Sequence, residues 1–387
     1  MSITKLELKN FTVFADAKFE FCPGINVLIG ENASGKSHIL KLLYASRTAL
    51  EYPIQADLKP SVAFIAHALC TFFGTRTVNL AAFWSQERQS EISAVSILHS
   101  DAEQQGFSLR NPTSRPAQIP VTTVRDQRQA QTVRNSVFVP PRDVLAMYPG
   151  FTAAYENREL SFDTTYYDIC RQLSASRLRG KAAKAIAHLL APLEQVLGGE
   201  VIIKGDGFYL QGPHGEVAAP FLAEGWRKLG TLAYLIANGS LTTKSILFID
   251  EPEASLNPTL IIKMVEILRQ LAHAGMQIFL ASHDYLLVHR LSQAAEHALL
   301  PAVPLRFFAL HRPEPGAPVQ VESADTLAQI EHNAILREFA RYYDDEQRYT
   351  LAELAKPASQ PSPPKKTAKK STKKKAVKKT AKKATKR

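Results

Sequence analysis

Residues 4–8 (TKLEL) and 17–21 (AKFEF) alternate polar and apolar side chains, the period of half-buried strands, and their spacing suits a hairpin. Ile25–Ile29 (INVLI) is a short apolar run of the kind that forms a strand covered on both faces. It leads into a glycine-bearing loop and a helical stretch, His38–Leu43. Residues 45–135 change character, with short apolar runs, scattered Gly and Pro, and polar stretches such as Asp101–Gln105. They predict an inserted lobe of mixed helix and antiparallel strand. Ser136–Val139 (SVFV) returns to the sheet and is stopped by Pro140-Pro141.

Between Lys181 and Leu197, apolar residues at 186, 189, 190, 193 and 197 form a helical stripe closed by Gly198-Gly199. Val201–Ile203 and Phe208–Leu210 flank Gly205-Asp206-Gly207 and read as a second hairpin. Then follow helix Arg227–Ala237, strand Ser245–Ile249, helix Leu260–Ala272, and strands Gln277–Ala281 and Leu305–Leu310. In the second of these helices Ile261, Met264, Val265, Leu268 and Leu271 face inward. The alternation predicts an α/β fold with a parallel sheet.

At 387 residues and 45% hydrophobic content, the chain can bury a sizeable core. No run of about 18 apolar residues occurs, which argues against a membrane span. The alternating N-terminus lacks the apolar stretch of a secretory signal. Cys22, Cys70 and Cys170 stand far apart, which argues against a disulfide framework or zinc site and suits a cytoplasmic location. The formal charge of +11 is unevenly placed: Lys365–Arg387 carries 13 basic residues and no acid, leaving the rest at −2. From residue 357 the chain is almost wholly Pro, Ser, Ala, Thr and Lys, so 357–387 is expected to be a disordered basic tail. Its lysine pairs would neutralise phosphates without reading sequence, giving salt-sensitive, non-specific nucleic-acid binding. A solubilising tail, or one drawn to another acidic partner, is the alternative.

Two motifs carry chemistry. Gly30-Glu31-Asn32-Ala33-Ser34-Gly35-Lys36-Ser37 fits G-x-x-x-x-G-K-S between a buried strand and a helix. Its backbone N–H groups and the helix start suit phosphate oxygens. Lys36 would reach the β- and γ-phosphates of ATP, and the Ser37 hydroxyl would coordinate Mg²⁺. The residues expected to contact the nucleotide run from Gly30 to Ser37 and include the next residue, His38. Ser245–Pro252 is an apolar strand ending in Asp250-Glu251. Asp250 would hold Mg²⁺, and Glu251 would polarise the attacking water as a general base.

The combination resembles the ABC-like ATPase heads of RecF and structural-maintenance-of-chromosomes (SMC) proteins. More closely, it resembles bacterial AAA family ATP-binding proteins allied to the overcoming-lysogenisation-defect ATPases. The resemblance rests on Lys5–Phe11 (KLELKNF), Ile25–Leu42, Val137–Arg142 (VFVPPR), Leu222–Leu235 (LAEGWRKLGTLAYL), Ile246–Pro258 (ILFIDEPEASLNP) and Phe279–Leu286 (FLASHDYL). It implies a P-loop NTPase with an ABC-like split head: a mixed β-sheet core, an inserted α+β lobe and the basic tail. The expected divisions are 1–44 and 221–356 for the two parts of the head, 45–220 for the lobe and return strand, and 357–387 for the tail. The resemblance also makes Leu222–Trp226 the signature segment, with Gly225 approaching the γ-phosphate held by a second copy. Ser255–Pro258 is similar to the D-loop, with Glu253 and Asn257 in the same dimer-facing stretch. His283 resembles the switch histidine that senses the γ-phosphate; a satisfied polar group at a strand end is the alternative.

Two departures stand out. Ala223 occupies the usual signature serine, removing a hydroxyl contact to the opposing nucleotide; backbone donors near Gly225 and the helix start remain, and Arg227 or Lys228 could supplement them. No glutamine follows SVFV; Pro141, Arg142 and Asp143 stand there instead. The implied function is Mg²⁺-dependent ATP hydrolysis by a homodimer acting near DNA, in phage defence or DNA maintenance. The alternative is a non-hydrolysing nucleotide-sensing scaffold regulating a separately encoded nuclease or toxin. A Toprim nuclease domain is not expected, because Asp344-Asp345-Glu346 lacks its spacing.

Overall fold

The computed structural model describes residues 2–55, 69, 71–73, 93–99, 104–109, 121–124, 135–157 and 159–354. The expectations for the basic tail fall outside them. The strands are β1 (Ile3–Phe11), β2 (Phe14–Glu20), β3 (Ile25–Gly30), β4 (Ser93–His99), β5 (Gln104–Leu109), β6 (Val121–Val124), β7 (Ser136–Val139), β8 (Glu200–Lys204), β9 (Gly207–Gly212), β10 (Gly215–Ala218), β11 (Ile246–Asp250), β12 (Gln277–Ser282), β13 (Leu305–His311) and β14 (Gln320–Ala324). The helices are α1 (Lys36–Gln55), α2 (Phe151–Glu156), α3 (Thr164–Leu173), α4 (Gly180–Leu197), α5 (Glu224–Ala237), α6 (Pro258–His273), α7 (Tyr285–Glu296) and α8 (Ala334–Leu354).

Among the described residues the strands form three sheets. The central one has the order β14-β13-β3-β12-β11-β7. All its pairings are parallel except β13 with β14, so the sheet is mixed. A second, antiparallel sheet has the order β2-β1-β4-β5-β6. The N-terminal hairpin is therefore not isolated: β4, from the stretch read as an inserted lobe, pairs along β1 from Ile3 to Lys9. Helix α1 also runs beyond residue 44 into that stretch.

Period-two alternation in the central strands sends successive side chains into two cores. Val27, Val137, Leu247, Ile249, Ile278, Leu280 and Phe307 join a core with α3 to α7. Leu28, Phe138, Phe248, Phe279 and Phe308 join a core with α1, β1 and β2. In the second core Phe248 stacks between Phe138 and Phe279, with ring centroids 6.5 and 5.2 Å away. The central strands are therefore buried throughout, as INVLI and SILFI predict. The inward set read for α6 is also buried. Cys22 and Cys170 are free thiols whose pKa values burial pushes up to about 11 and about 12. No described helix is long and apolar enough to cross a membrane.

The chain divides into two compact units, Met1–Glu338 and Phe339–Arg387. The second is helical as far as Leu354 and exposes Tyr342, Tyr343, Tyr349 and Leu351.

Candidate active site

Strand register gathers the motifs at one sheet edge. Asp250, the last residue of β11, lies opposite Ala281 of β12, and Ser282 lies opposite Ile29 of β3. Gly30 pairs with Leu310 of β13, and Val139 of β7 with Ile249. Every segment leaving these strands at their carboxyl ends thus emerges together, where open α/β sheets bind ligands.

The phosphate loop is held by close backbone approach. A Cβ on Gly30 would lie 2.4 Å from the Leu310 carbonyl oxygen, and one on Gly35 would lie 2.8 Å from Val13 Cγ2. Gly35 and Ala33 have φ of 95° and 60°, the left-handed region that glycine tolerates and alanine rarely adopts. Lys36 Nζ donates to the carbonyls of Gly30 and Glu31, both at 2.8 Å, closing the loop on itself. Burial lowers the Lys36 pKa, against the pull of Asp250, Glu251, Glu253 and Glu31. Asp250 is buried, which raises its carboxyl pKa against the opposing influence of the Ser37 hydroxyl and of Lys41 and Lys36. The Ser34 hydroxyl is buried without a hydrogen bond, while Glu31, Asn32 and Ala33 are exposed. His38 packs on Phe73, with centroids 5.3 Å apart.

Two arginines absent from the sequence reading also reach the loop. Arg312 donates to the Ala33 carbonyl at 3.4 Å, and Arg337 pairs with the Glu31 carboxylate at 3.1 Å. No periodicity marks them, because both come from irregular segments or ends after β13.

Glu251 adopts φ of 51°, a conformation costing a non-glycine residue about 1–3 kcal/mol. Its N–H donates to the Ala281 carbonyl at 2.9 Å, so the turn is anchored to β12. Its half-exposed carboxylate lies 3.6 Å from His283 Nδ1. Glu253 differs from its sequence assignment. It is buried, not dimer-facing: Oε1 accepts from Ser282 Oγ at 2.8 Å and from the His283 N–H at 3.2 Å. Burial raises its pKa. Asn257, from the same stretch, is exposed and caps α6 through the Leu260 N–H at 2.9 Å.

At the start of α5, Ala223 is the N-cap and makes no capping hydrogen bond, the loss its missing hydroxyl predicts. Gly225 is buried against its own chain: a Cβ there would lie 2.7 Å from the Ser255 carbonyl oxygen and 2.9 Å from Leu256 Cδ2. Arg227 and Lys228 do not stand in for the hydroxyl, because both are engaged internally. Arg227 pairs with Asp143 at 2.9 Å, and Lys228 Nζ donates to the Glu251 carbonyl at 2.7 Å. Asp143 also accepts from the N–H groups of Leu145 and Ala146. The stretch lacking a glutamine is thus tied to α5 by an ion pair, and Arg142 is exposed.

Two family models match separate parts of the chain: "AAA ATPase domain" over residues 1–70, and "AAA domain, putative AbiEii toxin, Type IV TA system" over residues 194–289. The DNA replication and repair protein RecF of Pediococcus pentosaceus is 52% identical over 44 residues, 11% of this chain and 12% of that protein. RecF of Ligilactobacillus salivarius is 40% identical over 57 residues, 15% of each. The matches thus span about an eighth of the length of these relatives. An SMC head, solved bound to the C-terminal winged-helix domain of ScpA, superposes with a TM-score of 0.50 at 12% identity, covering 85% of this chain and 99% of that one. The fold is thus that of ABC-like P-loop ATPase heads. Two separate parts of the chain resemble AAA ATPase domains, and a short stretch resembles RecF.

Proposed function

We propose that the chain binds and hydrolyses ATP with Mg²⁺ at the edge bearing Gly30–Ser37, Asp250, Glu251 and His283. The observation that carries this reading is the strand register, which ends β3 at the start of the phosphate loop and β11 at Asp250 on either side of β12 and so brings together motifs 213 positions apart. Two hard oxygen donors side by side suit Mg²⁺, completed by phosphate and water oxygens. Ser37 and Asp250 would hold the Mg²⁺, which when bound would neutralise charge developing on the phosphates.

Lys36 exchanges its two loop carbonyls for phosphate oxygens, and the exposed loop N–H groups supply further donors. Glu251 takes a proton from the attacking water as its oxygen bonds to the γ-phosphorus. The bond to the β–γ bridging oxygen breaks, and ADP leaves. His283, beside Glu251, senses the γ-phosphate. The exposed start of α5 at Ala223 and Glu224, with Gly225 packed behind it, completes the site from a second copy. The tail Lys365–Arg387 holds the dimer on nucleic acid, in keeping with the named roles of the RecF relatives in DNA replication and repair. Uncapped Ala223 favours the second reading, a nucleotide-sensing scaffold acting on a separately encoded nuclease or toxin.

Phosphate release from Mg²⁺-ATP tests the first reading. Activity is expected to fall by at least 100-fold in Lys36→Ala and Glu251→Gln; unchanged activity in both refutes it. Deleting Lys365–Arg387 should weaken duplex-DNA binding and flatten its salt dependence; an unchanged salt slope refutes the role of the tail.

A further inference from the structure

Lys228 sits in α5 with 3% of its surface exposed, on a helix that also buries Leu229 and Leu232 in the apolar core. Nothing in the helical stripe calls for a lysine there, and an ammonium group is costly to bury unless its protons are used. Its Nζ donates at 2.7 Å to the carbonyl oxygen of Glu251, a residue held at φ of 51°. That carbonyl also accepts from the Ala254 N–H at 3.1 Å, and the Glu251 N–H donates to Ala281 at 2.9 Å. The left-handed turn is therefore fixed from three sides: by β12, by its own hydrogen bond and by α5. Glu253, Glu251, Glu224 and Asp250 surround the ammonium with negative charge. Gly225, three residues earlier on the same helix, packs against Ser255, so α5 touches the 251–256 segment at both ends.

We propose that Lys228 is a positioning residue for Glu251: by gripping its carbonyl, it holds the turn that aims the carboxylate over the phosphate loop. The proposal rests on the hydrolytic reading for its effect on rate, but its effect on the turn is independent of that reading. Lysine at this position links the helix start that faces a second copy to the base in its own site. A shift of α5 would move the Glu251 peptide directly.

The test uses full-length Lys228→Met and Lys228→Gln. Methionine keeps the aliphatic stem and loses the donor and charge, so thermal stability should be unchanged or raised. Glutamine can still donate to the carbonyl. In nucleotide-free protein, amide hydrogen exchange at Glu251 and Ala254 is expected to speed up at least tenfold in the methionine variant, with the β12 amides unaffected. In steady-state kinetics kcat should fall at least tenfold with KM for ATP within about threefold of wild type, and glutamine should recover part of the loss. Should methionine lower the melting temperature, the glutamine variant carries the comparison. Unchanged exchange at both amides overturns the proposal, as does a methionine variant with wild-type kcat when Glu251→Gln is inactive. A wild-type chain that releases no phosphate sinks the hydrolytic reading alone, and the exchange result then decides the positioning role.

Discussion

Glu253 is the residue whose environment departs most from its sequence neighbourhood, and its removal gives a quantitative test. Truncation by Glu253→Ala strands two donors, the buried Ser282 hydroxyl at 2.8 Å and the part-buried His283 N–H at 3.2 Å. Each unsatisfied donor costs about 1–3 kcal/mol. Against this, the variant no longer buries a carboxylate whose second oxygen makes no hydrogen bond. The net expectation is a loss of about 2 kcal/mol. Glu253→Gln keeps the Oε1 acceptor and removes the buried charge, so it should lose about 1 kcal/mol or less. Equilibrium urea denaturation of both variants beside wild type gives the two numbers. A glutamine variant as unstable as the alanine variant would refute the argument, because the charge facing Lys228 would then matter more than the acceptor. An alanine variant within 0.5 kcal/mol of wild type, on the order of a typical surface change, would refute it too.

Two further outcomes follow from geometry on either side of the site. Burial raises the Asp168 pKa to about 6 from 3.8, although its carboxylate accepts from the Tyr44 hydroxyl at 3.2 Å. A raised folded pKa means that the charged form costs stability: the cost is absent below about pH 4 and complete above about pH 6. Asp168→Asn should therefore stabilise the fold by about 1–3 kcal/mol at pH 7 and by nothing at pH 4; denaturation at both pH values checks it, and equal effects would refute it. Gly225→Ala drives a methyl group into the Ser255 carbonyl, 2.7 Å from the ideal Cβ. An overpacking cost of about 1–3 kcal/mol is expected, with ATP hydrolysis reduced more than ATP binding in parallel assays. A fully active, equally stable variant would show that the segment yields freely.

The site was most legible where a residue type has one physical use. Gly30, Gly35, Lys36, Ser37, Asp250 and Glu251 announce themselves because close backbone approach, a phosphate charge and a strand-end carboxylate admit few substitutes. The two-sided burial of β3, β11 and β12 was legible for a similar reason, since an apolar run leaves no solvent face. Contacts made across the fold by ambiguous residues were hidden. Lysine at 228 reads as a surface residue until α5 is packed, and Asp143 gains meaning only from Arg227, 84 positions away. Glu253 has the composition of an exposed turn, and only the end of β12 turns it inward. Within 45–135 the antiparallel strands were expected but their attachment was not: β4 pairs with β1 and β5 with β4, and pairing across so many residues leaves no local trace.

Strand β3, which bears the phosphate loop, lies between β12 and β13, made about 250 and 280 residues later. At ribosomal rates of about 5–20 residues per second, the growing chain carries that strand for roughly 12–50 s before either neighbour exists. During this interval Leu28 already has company in α1 and the β1–β2 hairpin, the earliest parts of its core. The N-terminal segment is thus a shelter for an unfinished sheet as well as part of a finished head. Since His283 is made 247 residues after Lys36, a nascent protein cannot assemble this site, or answer to ATP there, until the second motif set has followed the first by that distance.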